Sequence, residues 1–152
     1  MAGVAHFLKQ QIKGLKVILA DPQGSGLYNK VKYGVMYSQL EAEGSRKRHQ
    51  IDTIVEGVGL KRLTSNFKRA MEHCDDAIRV TDQEAVEMSR YLMKHDGLFV
   101  GSSSAVNCVA AVAHAKSLGP GHVIVTMLCD HGSRHLTKFW SDSYCTNNGI
   151  QI

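Results

Sequence analysis

The stretch LCDHGSRH, Leu128–His135, puts Asp130, His131, Ser133, Arg134 and His135 within one short run. Three chemistries use such residues. His131 and His135 are four positions apart, so a helix would set both imidazoles on one face, as in a metal site. A catalytic zinc takes three protein ligands and an open position, and the HExxH pattern has glutamate where Gly132 stands. Ser133, His131 and Asp130 are the residue types of a nucleophilic triad, but near neighbours in sequence seldom aim their side chains at one another, and there is no G-x-S-x-G elbow. The third chemistry is a ligand wall, in which the first N–H groups of a helix face an anion or a polar ring.

Two other segments share that third character. EGVG, Glu56–Gly59, offers backbone with Gly57 and Gly59, where a planar ligand approaches without Cβ obstruction. GSSSA, Gly101–Ala105, puts Gly101, Ser102 and Ser103 at the start of a small-residue helix. Open α/β sheets bind ligands beyond the carboxyl ends of their strands. Each segment is ordinary turn chemistry alone; three in order at strand ends point to one pocket.

The elements that must position them follow from periodicity. AGVAHFLKQQI, Ala2–Ile12, reads as an amphipathic helix with Val4, Phe7, Leu8 and Ile12 on one face, stopped by Gly14. KVILADP, Lys16–Pro22, reads as a strand buried on both sides. Ile78–Val80 is a short strand, and Thr81 opens a capping box with Glu84 for a helix that Gly97 closes. Leu98–Gly119 repeats strand, glycine, serine N-cap and helix. His122–Asp130 reads as another buried strand, and His131–Trp140 as a helix. This order predicts an α/β fold, a three-layer sandwich with a mostly parallel sheet. Residues 1–140 form the domain and 141–152 a polar, frayed tail.

At 152 residues and 43% hydrophobic, the chain is long enough for one packed domain. No apolar run reaches membrane-spanning length. Cys74, Cys108, Cys129 and Cys145 form no CxxC pair and read as reduced thiols of an intracellular, cytoplasmic protein. The net charge of +4 is mild, and its densest spot is GSRKRH, Gly44–His49. Arg46, Lys47 and Arg48 suit phosphate, but no aromatic residue interleaves, so a solvated loop is the simpler reading and nucleic acid is not an expected partner.

The same segments resemble a known family. ADPQGS (Ala20–Ser25) resembles its DPEGS, VEGVG (Val55–Gly59) its VEGIG, DGLFVGSSSA (Asp96–Ala105) its EGLFCGISSGA, and VIVTMLCDHGSRHLTKFW (Val123–Trp140) its VVILPSSGERYLSKF. From Met1 to Trp140 the chain looks like the C-terminal part of the catalytic domain of cysteine synthases and cystathionine β-synthases. These are fold-type II pyridoxal-phosphate enzymes related to the tryptophan synthase β chain, and LCD with HLTKFW looks most like the fungal branch. The resemblance implies a partial fold of that type, pyridoxal 5'-phosphate as cofactor, and β-replacement on O-acetylserine or serine by sulfide or a thiol. It also implies a homodimer, and a mitochondrial address where an N-terminal signal belongs to the protein.

On that resemblance Gly57 and Gly59 line the cofactor and substrate face, and Gly101, Ser102 and Ser103 form the next wall. The family's serine at the pyridine nitrogen falls on His131, with Asp130 or Ser133 as substitutes. A neutral imidazole can bond the ring nitrogen but is larger than a hydroxymethyl group; an aspartate would keep that nitrogen protonated. No lysine of the chain stands in the family's S-x-K-D-R context, so no catalytic residue is assigned, and the GTGGT phosphate loop is absent too. AGVAHFL resembles the helix that follows that loop. The expectation is a fragment truncated at its N-terminus, inactive alone and poorly soluble, with the rest encoded upstream. The alternative is an inactive remnant that binds a partner.

Overall fold

The structure is a computed structural model that describes residues 2–36 and 53–152. The Gly44–His49 run lies outside the described residues. Ala2–Gln11 forms α1, Ile18–Pro22 β1, Leu27–Tyr33 α2, Ser65–Met71 α3, Asp76–Val80 β2, Asp82–Asp96 α4, Ser102–Leu118 α5 and Asp142–Asn147 α6; a 3-10 turn covers Gly132–His135.

β1 and β2 pair in parallel, with Ile18 opposite Asp76 and Pro22 opposite Val80. Alternation along a strand sends neighbouring side chains to opposite faces. Ala20, Ile78 and Val80 accordingly join a core with Val86 of α4, Val106 of α5, Phe139 and Cys145. Leu19 and Ala77 face the other way, onto Leu27 and Val31 of α2 and Phe67 of α3. Helices thus cover both faces of the parallel pair, the three layers expected of an α/β sandwich. No helix among the described residues is long and apolar enough to cross a membrane.

α4 forms where its signals stood. The Thr81 hydroxyl accepts from the Glu84 N–H, the Glu84 carboxylate accepts from the Thr81 N–H, and Gly97 closes the helix at φ 68°. α5 also runs to Gly119, but its N-cap is Gly101, not a serine, and no side chain caps it. The serines are engaged elsewhere. The Ser102 hydroxyl accepts from the Glu56 N–H at 3.0 Å, and the Ser104 hydroxyl accepts from the Cys129 N–H at 2.8 Å. These two bonds fasten both flanking loops to the first turn of α5.

Four expectations need correction. Residues 122–130 form no strand; just beyond them one antiparallel bridge pairs Val100 with His131. Their side chains are open, Val123 at 93% and Val125 at 85% exposure, because no strand lies beside them among the described residues. The segment from His131 to Trp140 is a 3-10 turn and further turns, not a helix. The tail does not fray: α6 carries the fully buried Cys145, and Ile150 joins the same core. Finally, α1 is a helix, but its Val4, Phe7 and Ile12 are exposed and Ala5 is its buried residue. An apolar periodicity marks the face that a helix would bury, and nothing among the described residues lies over this one.

Candidate functional site

Three loops meet at the carboxyl side of the fold. The first, Thr53–Gly59, hangs from Asp82 at the start of α4: the Asp82 carboxylate accepts from the Thr53 hydroxyl and from the Ile54 N–H at 2.9 Å. Burial pushes the Asp82 carboxyl up, and those two bonds hold it partly back. Beyond Val55 the chain turns at Gly57, φ 86°, where a Cβ would meet nothing within 4 Å. The second loop is Val100–Ser103, and the third is Cys129–His135. The Gly101 N–H donates to the Asp130 carbonyl at 2.9 Å, and the Gly132 N–H to the Phe99 carbonyl at 2.9 Å, locking the last two loops side by side.

Between them opens a hollow of about 670 Å³, lined by Glu56, Gly57, Val58, Ser103, Cys129, Asp130, Arg134 and His135. His135, only 7% exposed, holds one wall: its Nε2 meets Asp130 Oδ2 at 2.8 Å, and its Nδ1 lies 3.9 Å from Glu56 Oε2. Lys138 Nζ closes the chain on Glu56 Oε1 at 2.6 Å, and that hydrogen bond raises the Lys138 ammonium pKa. The other Asp130 oxygen, Oδ1, is buried and has no hydrogen-bond partner. It fills the space in front of Gly101, where a Cβ would sit 2.0 Å from it. Glycine is therefore required at 101 by the carboxylate that packs against it. An acceptor left buried without a donor costs free energy.

α5 starts beside this carboxylate. Its first turn has no side-chain cap, leaving N–H groups at the positive end of the helix dipole, and Ser103 borders the hollow. Of the residues expected from sequence, Gly57, Ser103 and Asp130 line this hollow, with the buried Gly101 and Ser102 directly behind them. Gly59, at φ 87°, is not among the lining residues.

His131 and Ser133 turn elsewhere. His131 N-caps the 3-10 turn in extended conformation, with Nδ1 2.9 Å from the Ser133 hydroxyl and 3.3 Å from the Ser133 N–H. It borders a second hollow of about 400 Å³ with Phe99, Leu128 and Asp130, and stands edge-on to the Phe99 ring. The shared helical face of His131 and His135 does not arise, because His131 precedes the turn and is extended. Glu56 and His135 are the wall residues that sequence spacing did not single out for this role. Glu56 opens the EGVG segment and His135 ends the opening stretch, so their positions were in view while their meeting was not.

Comparison with known proteins supplies the frame. The profile described as "Pyridoxal-phosphate dependent enzyme" matches residues 1–130. A cysteine synthase 2 of Schizosaccharomyces pombe is 59% identical over 150 residues, covering 99% of this chain and 38% of that protein. A cysteine synthase 2 of Emericella nidulans is 60% identical over 141 residues, covering 93% of this chain and 33% of that protein. The solved O-acetylserine dependent cystathionine beta-synthase from Helicobacter pylori superposes with a TM-score of 0.68 at 29% identity, covering 90% of this chain and 38% of that one. The chain therefore spans between 33% and 38% of the length of these relatives. With its profile match running through most of its length, the chain belongs to the family of pyridoxal-phosphate dependent enzymes.

Proposed function

We propose that this chain forms the ring-side wall of the site in a pyridoxal-phosphate β-replacement enzyme. That enzyme makes cysteine, or cystathionine, from O-acetylserine or serine and sulfide or a thiol. The observation that carries the reading is the convergence of Gly57, Ser103 and Asp130, from three loops, on one hollow. The residues present fit the pyridine side of the cofactor: a carboxylate in the wall, an uncapped helix start, and an unobstructed glycine. When bound, the cofactor supplies an electron sink for the substrate's α-carbon.

The chain's own residues bind and orient. Asp130 takes the ring nitrogen, and its negative charge keeps that nitrogen protonated. His135 fixes Asp130, and the Glu56–Lys138 pair stands behind His135. Ser103 and the α5 N–H groups face polar substituents of the ring or substrate. Gly57 gives a flat approach over the ring face, with Gly59 shaping the loop behind it. His131 borders Asp130 from the second hollow, with Ser133 bonded to its imidazole. The lysine and phosphate loop come from outside these residues. The working enzyme is a homodimer of the cytoplasm, or of the mitochondrion where a signal directs it there. The partner-binding remnant is not favoured by the matches to cysteine synthases.

Equilibrium dialysis of the chain with pyridoxal 5'-phosphate tests this. The expected result is saturable binding that Asp130→Ala and Gly101→Ala each weaken at least several-fold, while His122→Ala leaves it unchanged. Equal binding by all four proteins overturns the assignment.

A further inference from the structure

On the far side of the molecule, two histidines from distant parts of the chain meet. His6 of α1 and His73, in the turn between α3 and β2, place His6 Nδ1 and His73 Nε2 3.2 Å apart. Their rings are tilted by 53° at a centroid distance of 5.1 Å, so they converge at their edges and do not stack. Gln10, one turn along α1, lies with its amide nitrogen 3.1 Å from the remaining nitrogen of His6, Nε2. The nearby charges are already matched: Lys9 pairs with Asp75 at 2.7 Å, and Lys16 approaches the same carboxylate at 3.7 Å. The Asp75 carboxyl stays below its ordinary range because these bonds outweigh its partial burial.

The nitrogen separation is the informative quantity. Two imidazoles bound to one tetrahedral metal at about 2.0–2.1 Å place their nitrogens roughly 3.3 Å apart. His6 and His73 already stand at 3.2 Å, so a metal enters with little rearrangement of either side chain. With a metal on Nδ1, the proton of His6 sits on Nε2 and needs an acceptor. The Gln10 amide, whose nitrogen faces Nε2 without metal, supplies one by turning over to present its oxygen, the outer contact that fixes a ligating imidazole. His73, bound through Nε2, keeps its proton on Nδ1. Without metal, a single proton between the facing nitrogens closes the same contact as a hydrogen bond.

We propose that His6 and His73 form a two-histidine transition-metal site that clamps α1 to the turn before β2. No third histidine, cysteine, aspartate or glutamate completes the set among the described residues, so water fills the other positions. Imidazole ligands select copper(II), nickel(II) and zinc over magnesium and calcium, which take oxygen donors. The site is separate from the hollow at Asp130, and its fate does not depend on the cofactor reading.

The test is calorimetric titration of the metal-free full chain, at micromolar concentration, with copper(II), nickel(II) and zinc salts. One equivalent is expected to bind most tightly, with copper(II) ahead of nickel(II) and zinc, and no matching response to magnesium or calcium. His6→Ala and His73→Ala each remove that equivalent, Gln10→Ala weakens it about tenfold, and His122→Ala leaves it. His73→Gln separates the two roles, since its amide can still bond His6 but does not ligate. The proposal expects His73→Gln to melt like the parent without metal and to lose the metal-dependent rise in melting temperature. Tight binding that survives both histidine-to-alanine variants, or that depends on only one of the two, overturns it.

Discussion

The region around α4, α5 and α6 and the stretch 122–128 both carry apolar residues that end in opposite states. Val80, Val106, Phe139 and Cys145 are fully buried, whereas Val123, Val125 and Met127 are among the most exposed large side chains. Hydrophobicity is a demand for cover, and cover comes from neighbours. α4 packs on α5 and α5 on β2, and α6 closes the end with Cys145. The stretch 122–128 has α5 on one side only, tied by Asn107, which donates to the Met127 carbonyl at 2.9 Å. Its other side and much of its backbone have no partner among the described residues. The site sits at the seam: its three loops are pinned by the packed region, and its third loop continues directly from the open stretch.

The sharpest break in this comparison is Phe139→Ala. Its ring is wholly buried beneath Arg90 and beside His135, so denaturant unfolding is expected to show a loss of about 3–5 kcal/mol. Next is Asp82→Ala, which cuts the loop Thr53–Gly59 from α4; a loss of about 2–3 kcal/mol is expected, with faster hydrogen exchange at Ile54. Thr81→Ala removes the cap of α4 and is expected to cost about 1 kcal/mol in the same measurement.

A pH titration of stability probes the other half of the molecule. The Lys32 ammonium bonded to Asp76 holds that carboxyl below its ordinary range. The folded state then binds the proton less readily than the unfolded one. The contribution is present above the ordinary carboxylate value and is lost as pH falls through the folded value. Asp76→Asn is expected to flatten the acid limb of the stability curve without moving its alkaline limb. The smallest effect belongs to the open stretch. Val125→Thr is expected to stay within about 0.5 kcal/mol of the parent, while the onset of turbidity moves to higher protein concentration.

The same contrast explains what was legible in the sequence. α4 was readable because its stop and start are local: Thr81, Glu84 and Gly97 act within a few residues of themselves. The parallel pair was readable because β1 and β2 are both present. Val123–Leu128 was misread because an apolar run states a preference and does not say whether a neighbour is at hand. The tail was misread for the converse reason, since Cys145 and Ile150 are isolated apolar residues among polar ones and still find the core. The glycines and serines singled out from sequence stand in the loops that surround the hollow. The Asp130–His135–Glu56 contact could not be read, because Glu56 is far off in the chain and a 3-10 turn, not the helix expected, carries His135.

Hydrogen exchange of the chain with and without pyridoxal 5'-phosphate tests the central claim most directly. The account predicts slowed exchange at Gly57, Val58, Ser103 and Ser104, with no change at Val123 or Val125. Protection confined to other segments, or none at these four amides at saturating cofactor, would contradict it.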